Sequence, residues 1–244
     1  MRKILLMVDN SNVHISTMKN FGSRARFSYT NFERLYIKDK FISKQIICST
    51  PPRLDGFWDK MKKSGYKVIT YERIQTYDGR TEEKGVDTGI VARGTELIIN
   101  EKPDILLLLS GDLDMKPLVR MAKKYSCDTV LWTYKESVSP DLENECDETF
   151  FIDDYAEELI FFRDPIYGTE SFTVREKRLE RERKNMEAKY NYPHNGKNNI
   201  NNVAKPPHKA KHTAKKILLT IGMIVAAGFI GAGVHKYMQA KRLT

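Results

Sequence analysis

Five consecutive apolar residues, Ile105-Leu106-Leu107-Leu108-Leu109, are entered through Pro103-Asp104 and run straight into Ser110-Gly111-Asp112-Leu113-Asp114. A strand that is apolar at every position is buried on both faces, which requires a parallel sheet covered by helices on either side. In such sheets ligands bind beyond the carboxyl ends of the strands. Two carboxylates leaving the strand there repel one another unless a cation or protons neutralise them, so the stretch points to a metal site with hard oxygen ligands. The alternative is local: Asp112 caps the helix that follows and Asp114 sits in its first turn, where the macrodipole favours acids. The stretch alone does not separate the two.

The pattern recurs. Ile4-Leu5-Leu6-Met7-Val8 is a second such strand, ended by Asp9-Asn10-Ser11-Asn12. It is too short for a signal-peptide core despite Arg2 and Lys3 before it. Residues 13–29 read as a loop whose Arg24, Arg26, Phe21, Phe27 and Tyr29 either face a substrate or cover the surface. Thr30-Asn31-Phe32-Glu33 matches a capping box and predicts a helix to about Lys40. A strand over 44–50 follows, then Pro51-Pro52, a helix over 53–64 ended by Gly65, a strand over 66–71 and a polar loop over 72–82. Residues 83–99 place Val86, Ile90, Val91, Leu97 and Ile98 at helical spacing. After the Leu-rich strand come a helix over 116–125 and a strand over 129–132, and Phe150-Phe151-Ile152 closes the sheet edge. Strands alternating with helices imply an α/β fold around a parallel sheet.

In the sheet order 3-2-1-4-5 the first and fourth strands lie side by side, so Asp9 and Asp112 emerge together at the topological switch point. Asp87, beside Val86 and one turn from Ile90, turns from its helix toward the sheet, or else is a helix acid at the edge of the apolar stripe. Converging carboxylates suit Mg2+ or Mn2+, which keep waters and substrate phosphates among their ligands. With a phosphate as the other ligand, the chemistry is metal-assisted attack of water on a phosphodiester.

Three ordered motifs carry a resemblance: Val8-Asp9-Asn10-Ser11-Asn12, Lys84-Gly85-Val86-Asp87, and Ser110-Gly111-Asp112-Leu113-Asp114 followed by Pro117-Leu118. With Cys146-Asp147 and Phe150, Phe151 and Ile152, residues 1–160 resemble the NYN/LabA-like branch of the PIN-domain ribonucleases. The resemblance implies a PIN-like fold and divalent-metal-dependent cleavage of RNA, with no small-molecule cofactor. It makes Asp9, Asp87 and Asp112 metal ligands and Asp114 a ligand or a group orienting bound water, so that these four acids are the catalytic set. By the same resemblance Asn12 positions a water or phosphate, Ser110 fixes the carboxylates, and Lys84 offers a charge to phosphate. Met115 stands where the family usually has an aromatic residue. Arg93 either reaches RNA or is a solvated helix charge.

The chain's net charge of +9 resides in residues 164–244, whereas 1–163 is close to neutral, so charge is no evidence that the folded part binds nucleic acid. Cys48, Cys127 and Cys146 form no C-x-x-C pair and read as reduced, partly buried thiols. Five segments are expected: a nuclease domain over 1–163, a charged spacer helix over 164–190 with pairs such as Glu180 and Lys184, a flexible basic linker over 191–215, a transmembrane anchor over 216–236, and a short basic tail over 237–244. Residues 217–234 are uncharged and, as a helix, span about 27 Å, close to the roughly 30 Å of a hydrocarbon core. Lys205, Lys209, Lys211, Lys215 and Lys216 before the span outnumber Lys236, Lys241 and Arg242 after it, which orients the catalytic domain to the cytoplasm. Ala227 with Gly231 and Gly228 with Ala232 allow two spans to approach closely, so a homodimer is a candidate assembly. The reading is a membrane-tethered ribonuclease acting on RNA; the alternative is a catalytically inactive nucleic-acid-binding or scaffold protein on the same membrane-anchored fold.

Overall fold

A computed structural model describes residues 1–49, 56–75 and 81–190. The expected linker, membrane span and basic tail, with Pro51 and Pro52, lie outside the described residues. Among the described residues, no helix is long and apolar enough to cross a membrane. Residues Met1–Arg175 form one compact unit, and the chain from Glu176 belongs to a second.

In chain order the described elements begin with β1 (Lys3–Asp9), α1 (Asn10–Phe21), β2 (Ala25–Phe27), α2 (Tyr29–Arg34), β3 (Lys40–Ser49), α3 (Phe57–Lys63), β4 (Lys67–Tyr71), β5 (Arg73–Gln75), β6 (Thr81–Glu83) and α4 (Val86–Glu101). There follow β7 (Ile105–Leu109), α5 (Lys116–Lys124), β8 (Asp128–Thr133), α6 (Pro140–Glu143), β9 (Glu148–Phe151), α7 (Ala156–Leu159), β10 (Ile160–Asp164), β11 (Gly168–Ser171) and α8 (Phe172–Tyr190). Six strands make one parallel sheet in the order β4-β3-β1-β7-β8-β9. This is the expected order with β9, the Phe150-Phe151 segment, added as the sixth strand.

The two all-apolar strands feed both layers of the core. Ile4, Leu6 and Val8 with Ile105, Leu107 and Leu109 pack with Phe32, Tyr36 and Trp132 on one face. Leu5, Met7, Leu106 and Leu108 meet Val86, Ile90, Leu118 and Val119 of α4 and α5 on the other. A strand apolar on both faces loses nothing hydrophobic by slipping one residue, so its polar ends must set the register. Here Lys3 N donates to Asp104 Oδ2 at 2.6 Å and Asp104 N to Lys3 O at 2.9 Å. That clamp aligns Val8 with Leu109 at the far end, which puts Asp9 level with Ser110.

The expected loop over 13–29 is instead helix α1 and strand β2. Its inward residues are Val13, Ser16 and Thr17, too polar for an apolar period to show. Thr17 Oγ1 donates to Val13 O at 2.6 Å and so accepts from the buried Tyr134 hydroxyl, also at 2.6 Å. Tyr134→Phe is expected to cost about 1 kcal/mol in urea denaturation, because the buried Thr17 oxygen loses the hydroxyl that donates to it while Thr17 keeps Val13 O as its own acceptor.

The capping box also moves: Ser28, not Thr30, caps α2 by accepting from Asn31 N at 3.3 Å, and Glu33 pairs with Lys44 at 2.9 Å. The polar loop over 72–82 contains the β5–β6 hairpin. The chain does not turn into a spacer helix at 164. Asp164 Oδ1 accepts from Ile166 N and Tyr167 N, β11 turns back on β10, and the helix starts at Phe172. Strands β11, β10 and β2 form a second sheet that periodicity did not reveal. From Glu176 on, α8 carries the expected charge lacing, including Lys184 to Glu180 at 3.3 Å. The three cysteines are unpaired, two of them buried.

Candidate active site

Asp9 ends β1 with extended backbone (φ −82°, ψ 92°) and caps α1, its Oδ1 accepting from Asn12 N at 3.0 Å. It is only 3% exposed. On the neighbouring strand Ser110 Oγ donates to Asp9 Oδ2 at 3.1 Å and accepts from Asp112 N at 3.2 Å. Gly111 N donates to the Asn12 side-chain oxygen at 3.0 Å. The turns after β1 and β7 are thus tied together by two hydrogen bonds, Ser110 to Asp9 and Gly111 to Asn12, around one buried carboxylate. Asn12, expected to touch water or phosphate, spends its amide oxygen on this tie.

Asp112 caps a single 3₁₀ turn over Leu113–Met115 by accepting from Asp114 N at 3.0 Å. Asp112 is thus a helix cap whose charge also acts on Asp9 and Asp87. Met115 is fully buried below this turn, against the α4 and α5 side of the core. Asp87 lies half-buried in the first turn of α4, which opens at Gly85 (φ 83°) with no side-chain cap. Lys84 is exposed and 3.8 Å from Glu82, and Arg93 pairs with Glu96 at 2.6 Å.

Electrostatics couple the acids. Burial pushes the Asp9 carboxyl up to about 6, against the hydrogen bonds from Asn12 and Ser110, and the charges of Asp87 and Asp112 add to the rise. Asp87 is raised by burial first, then by Asp112, Asp114 and Glu83. Among the described residues, no cationic side chain pairs with Asp9, Asp87 or Asp112. Nor, among the described residues, are three His, Cys, Asp or Glu side chains gathered closely enough to hold one ion. Among the described residues, the acids are near enough for their charges to act on one another yet too splayed to gather three on one ion, and Asp9 and Asp112 each accept from a local N–H. The donor set itself, hard carboxylate oxygens with no cationic side chain paired to them among the described residues, suits a hard divalent cation that needs only one or two protein carboxylates beside water and phosphate.

Two neighbours escaped the sequence reading. Ser49, at the end of β3, donates to Glu83, and Arg73 Nη2 reaches Glu83 at 3.0 Å and Arg73 Nε reaches Ser49 at 2.9 Å. The signal for Ser49 was its place at the carboxyl end of the strand beside β1. Glu83 was read only as a helix start.

A family model for the NYN domain matches residues 3–153. The chain belongs to the NYN domain family. NYN domains have a PIN-like nuclease fold and typically use divalent metals, and this NYN domain's sheet and acidic strand ends agree with that fold. Among solved structures, the NYN chain is similar to a protein of unknown function from Vibrio parahaemolyticus, at 25% identity and a TM-score of 0.54, over 63% of this chain and 94% of the other. A search of curated proteins found no match. The NYN match stops at residue 153, short of β10, β11 and α8.

Proposed function

We propose that this NYN domain is a ribonuclease that hydrolyses RNA phosphodiester bonds with Mg2+ or Mn2+ at the Asp9, Asp87 and Asp112 carboxylates. The observation that carries the reading is the buried Asp9 carboxylate, bracketed by Asp87 and Asp112, with no cationic side chain paired to any of them among the described residues. Unpaired buried charge is costly and is kept only where a ligand or cation relieves it.

When bound, the ion supplies a lowered pKa for its water and neutralises charge developing on the scissile phosphate. Ser110 orients Asp9 through its hydroxyl while holding the Asp112 backbone, so both carboxylates are set by one side chain. Asn12 locks the two turns at a fixed separation. Asp114, exposed on the 3₁₀ turn, orients water at the edge of the site, and Lys84 meets the phosphate backbone as a mobile point charge. The uncharged segment 217–234 supports a single C-terminal membrane anchor with the catalytic domain cytoplasmic and with scope for pairing of spans.

Full-length protein in detergent is expected to cleave end-labelled single-stranded RNA with Mn2+ or Mg2+ and to stop in EDTA. Asp112→Asn is expected to lose roughly a hundredfold or more of the rate with an unchanged circular dichroism spectrum. Equal cleavage by that variant excludes the reading. The splayed carboxylates favour a second one, a binding module without catalysis. RNA binding with neither cleavage nor Mn2+ binding in calorimetry would establish it.

A further inference from the structure

Strand β10, beyond the residues matched to the family, joins residues inside that match in a feature that the acidic site does not use. Strand β10 pairs antiparallel with β2, setting Phe162 opposite Ala25 and Phe161 opposite Arg26. Side chains alternate across a strand, so Ala25 and Phe162 enter the core while Arg26, Phe161 and, two residues on, Arg163 stand on the opposite face. Phe57 and Trp58 of α3 and His14 of α1 complete a half-open pocket of about 150 Å³ over that face. A cavity of about this size takes one benzene-sized ring, well below the pockets that hold drug-sized ligands.

Among the described residues, the wall offers the rings of His14, Phe27, Tyr29, Phe57, Trp58 and Phe161 for stacking and the Arg26 and Arg163 cations for an anion, and no carboxylate lines it. Arg26 Nη1 donates to Ser23 O at 2.8 Å and Ala25 O at 2.7 Å, which fixes its guanidinium. Asn10 also lines the pocket, and it follows Asp9 directly in the chain. The pocket and the acidic site therefore begin at consecutive residues.

We propose that this pocket seats one unpaired nucleobase of the strand bound at the acidic site, with the adjoining phosphates on Arg26 and Arg163. The proposal rests on the nuclease reading above and names how that site selects its substrate. A ring beside an anion is what a nucleotide presents, and only an unpaired base has a face and edge free to enter such a slot. The substrate is then single-stranded or locally unpaired.

The test uses full-length protein carrying Asp112→Asn, in EDTA, with fluorescein-labelled oligouridylates read by anisotropy. One set of oligomers carries an abasic site at each position in turn. Phe161→Leu keeps an apolar side chain but removes the ring, and it is expected to weaken binding about tenfold. One abasic position should weaken binding to the parent protein by the same factor, and the two changes together should cost no more than either alone. Arg163→Ala should weaken intact and abasic strands equally and flatten the salt dependence. Thermal unfolding checks that both variants keep the fold. Unchanged affinity in Phe161→Leu, abasic effects that simply add to it, or no binding at all overturns the pocket. Metal-dependent cleavage by the wild type without that coupling refutes the pocket and leaves the nuclease reading standing; coupling without cleavage does the reverse.

Discussion

Asp9→Asn is expected to raise the stability of the metal-free protein at pH 8 and to abolish the proposed nuclease activity. The folded-state pKa of Asp9 is about 6, above its ordinary 3.8, so the fold prefers the protonated carboxyl. That preference contributes fully below about pH 3.8 and is lost as pH rises through about 6. Above it the ionised group strains the fold by up to about 3 kcal/mol, at about 1.4 kcal/mol per pKa unit. Asparagine is neutral at every pH and is itself a good helix cap. Its side-chain oxygen can accept from Asn12 N as Asp9 does, and the Ser110 hydroxyl can turn to accept from its amide. The melting temperature in EDTA should therefore rise by several degrees at pH 8 and by almost nothing at pH 4. Mn2+ should reverse the order, since ligand stabilises only a protein that binds it. A variant less stable than the wild type at pH 8 in EDTA would show that hydrogen bonding, not unrelieved charge, dominates at this position.

Gly111→Ala should be the most damaging single-methyl change in the site. A Cβ there would lie 2.4 Å from the Ser137 carbonyl oxygen and 2.9 Å from Thr133 Oγ1. The first is backbone, held by the turn in which Ser137 N and Val138 N both donate to Tyr134 O, and Ser139 N donates to Gly111 O at 2.9 Å. That carbonyl wall cannot swing away as a side chain such as Thr133 would, so the chain at 111 must move. The expected cost is about 2–3 kcal/mol by chemical denaturation, at the upper end for overpacking. Activity should fall further than stability explains, because Gly111 N also holds Asn12 and its neighbours are Ser110 and Asp112. Gly94→Ala is the control: the obstacle there is the Leu118 side chain, which can change rotamer, so a smaller loss is expected. Equal losses in the two variants would contradict the distinction between rigid and yielding walls.

Why some elements were legible and others not follows from where their information resides. The strands β1 and β7 are unmistakable because burial on both faces demands apolar residues at every position. Helix α1 was invisible because its inward side is Val13, Ser16 and Thr17, satisfied by hydrogen bonds to Val13 O and Tyr134 rather than by area. The cap at Ser28 lost to a better sequence match at Thr30, since a capping box identifies chemistry but not which residue leaves the helix. In the β2–β10–β11 sheet, β10 pairs with β2 more than a hundred residues away, and no local pattern encodes such a pairing.

The same division holds at the site. Sequence alone placed acids at the ends of two buried strands and in the first turn of a helix, and the strand order then required Asp9 and Asp112 to emerge side by side. It also carried the family, whose motifs lie on contiguous residues. The resemblance already gave Ser110 the role of fixing the carboxylates; only the tertiary structure decided that it holds Asp9 by its side chain and Asp112 by its backbone, that Asn12 is a tie, and that Gly111 admits no side chain. It alone joined Arg26 and Phe161 on one face next to Asn10. Those facts depend on register and on the approach of distant backbone, which a short polar residue permits but does not specify.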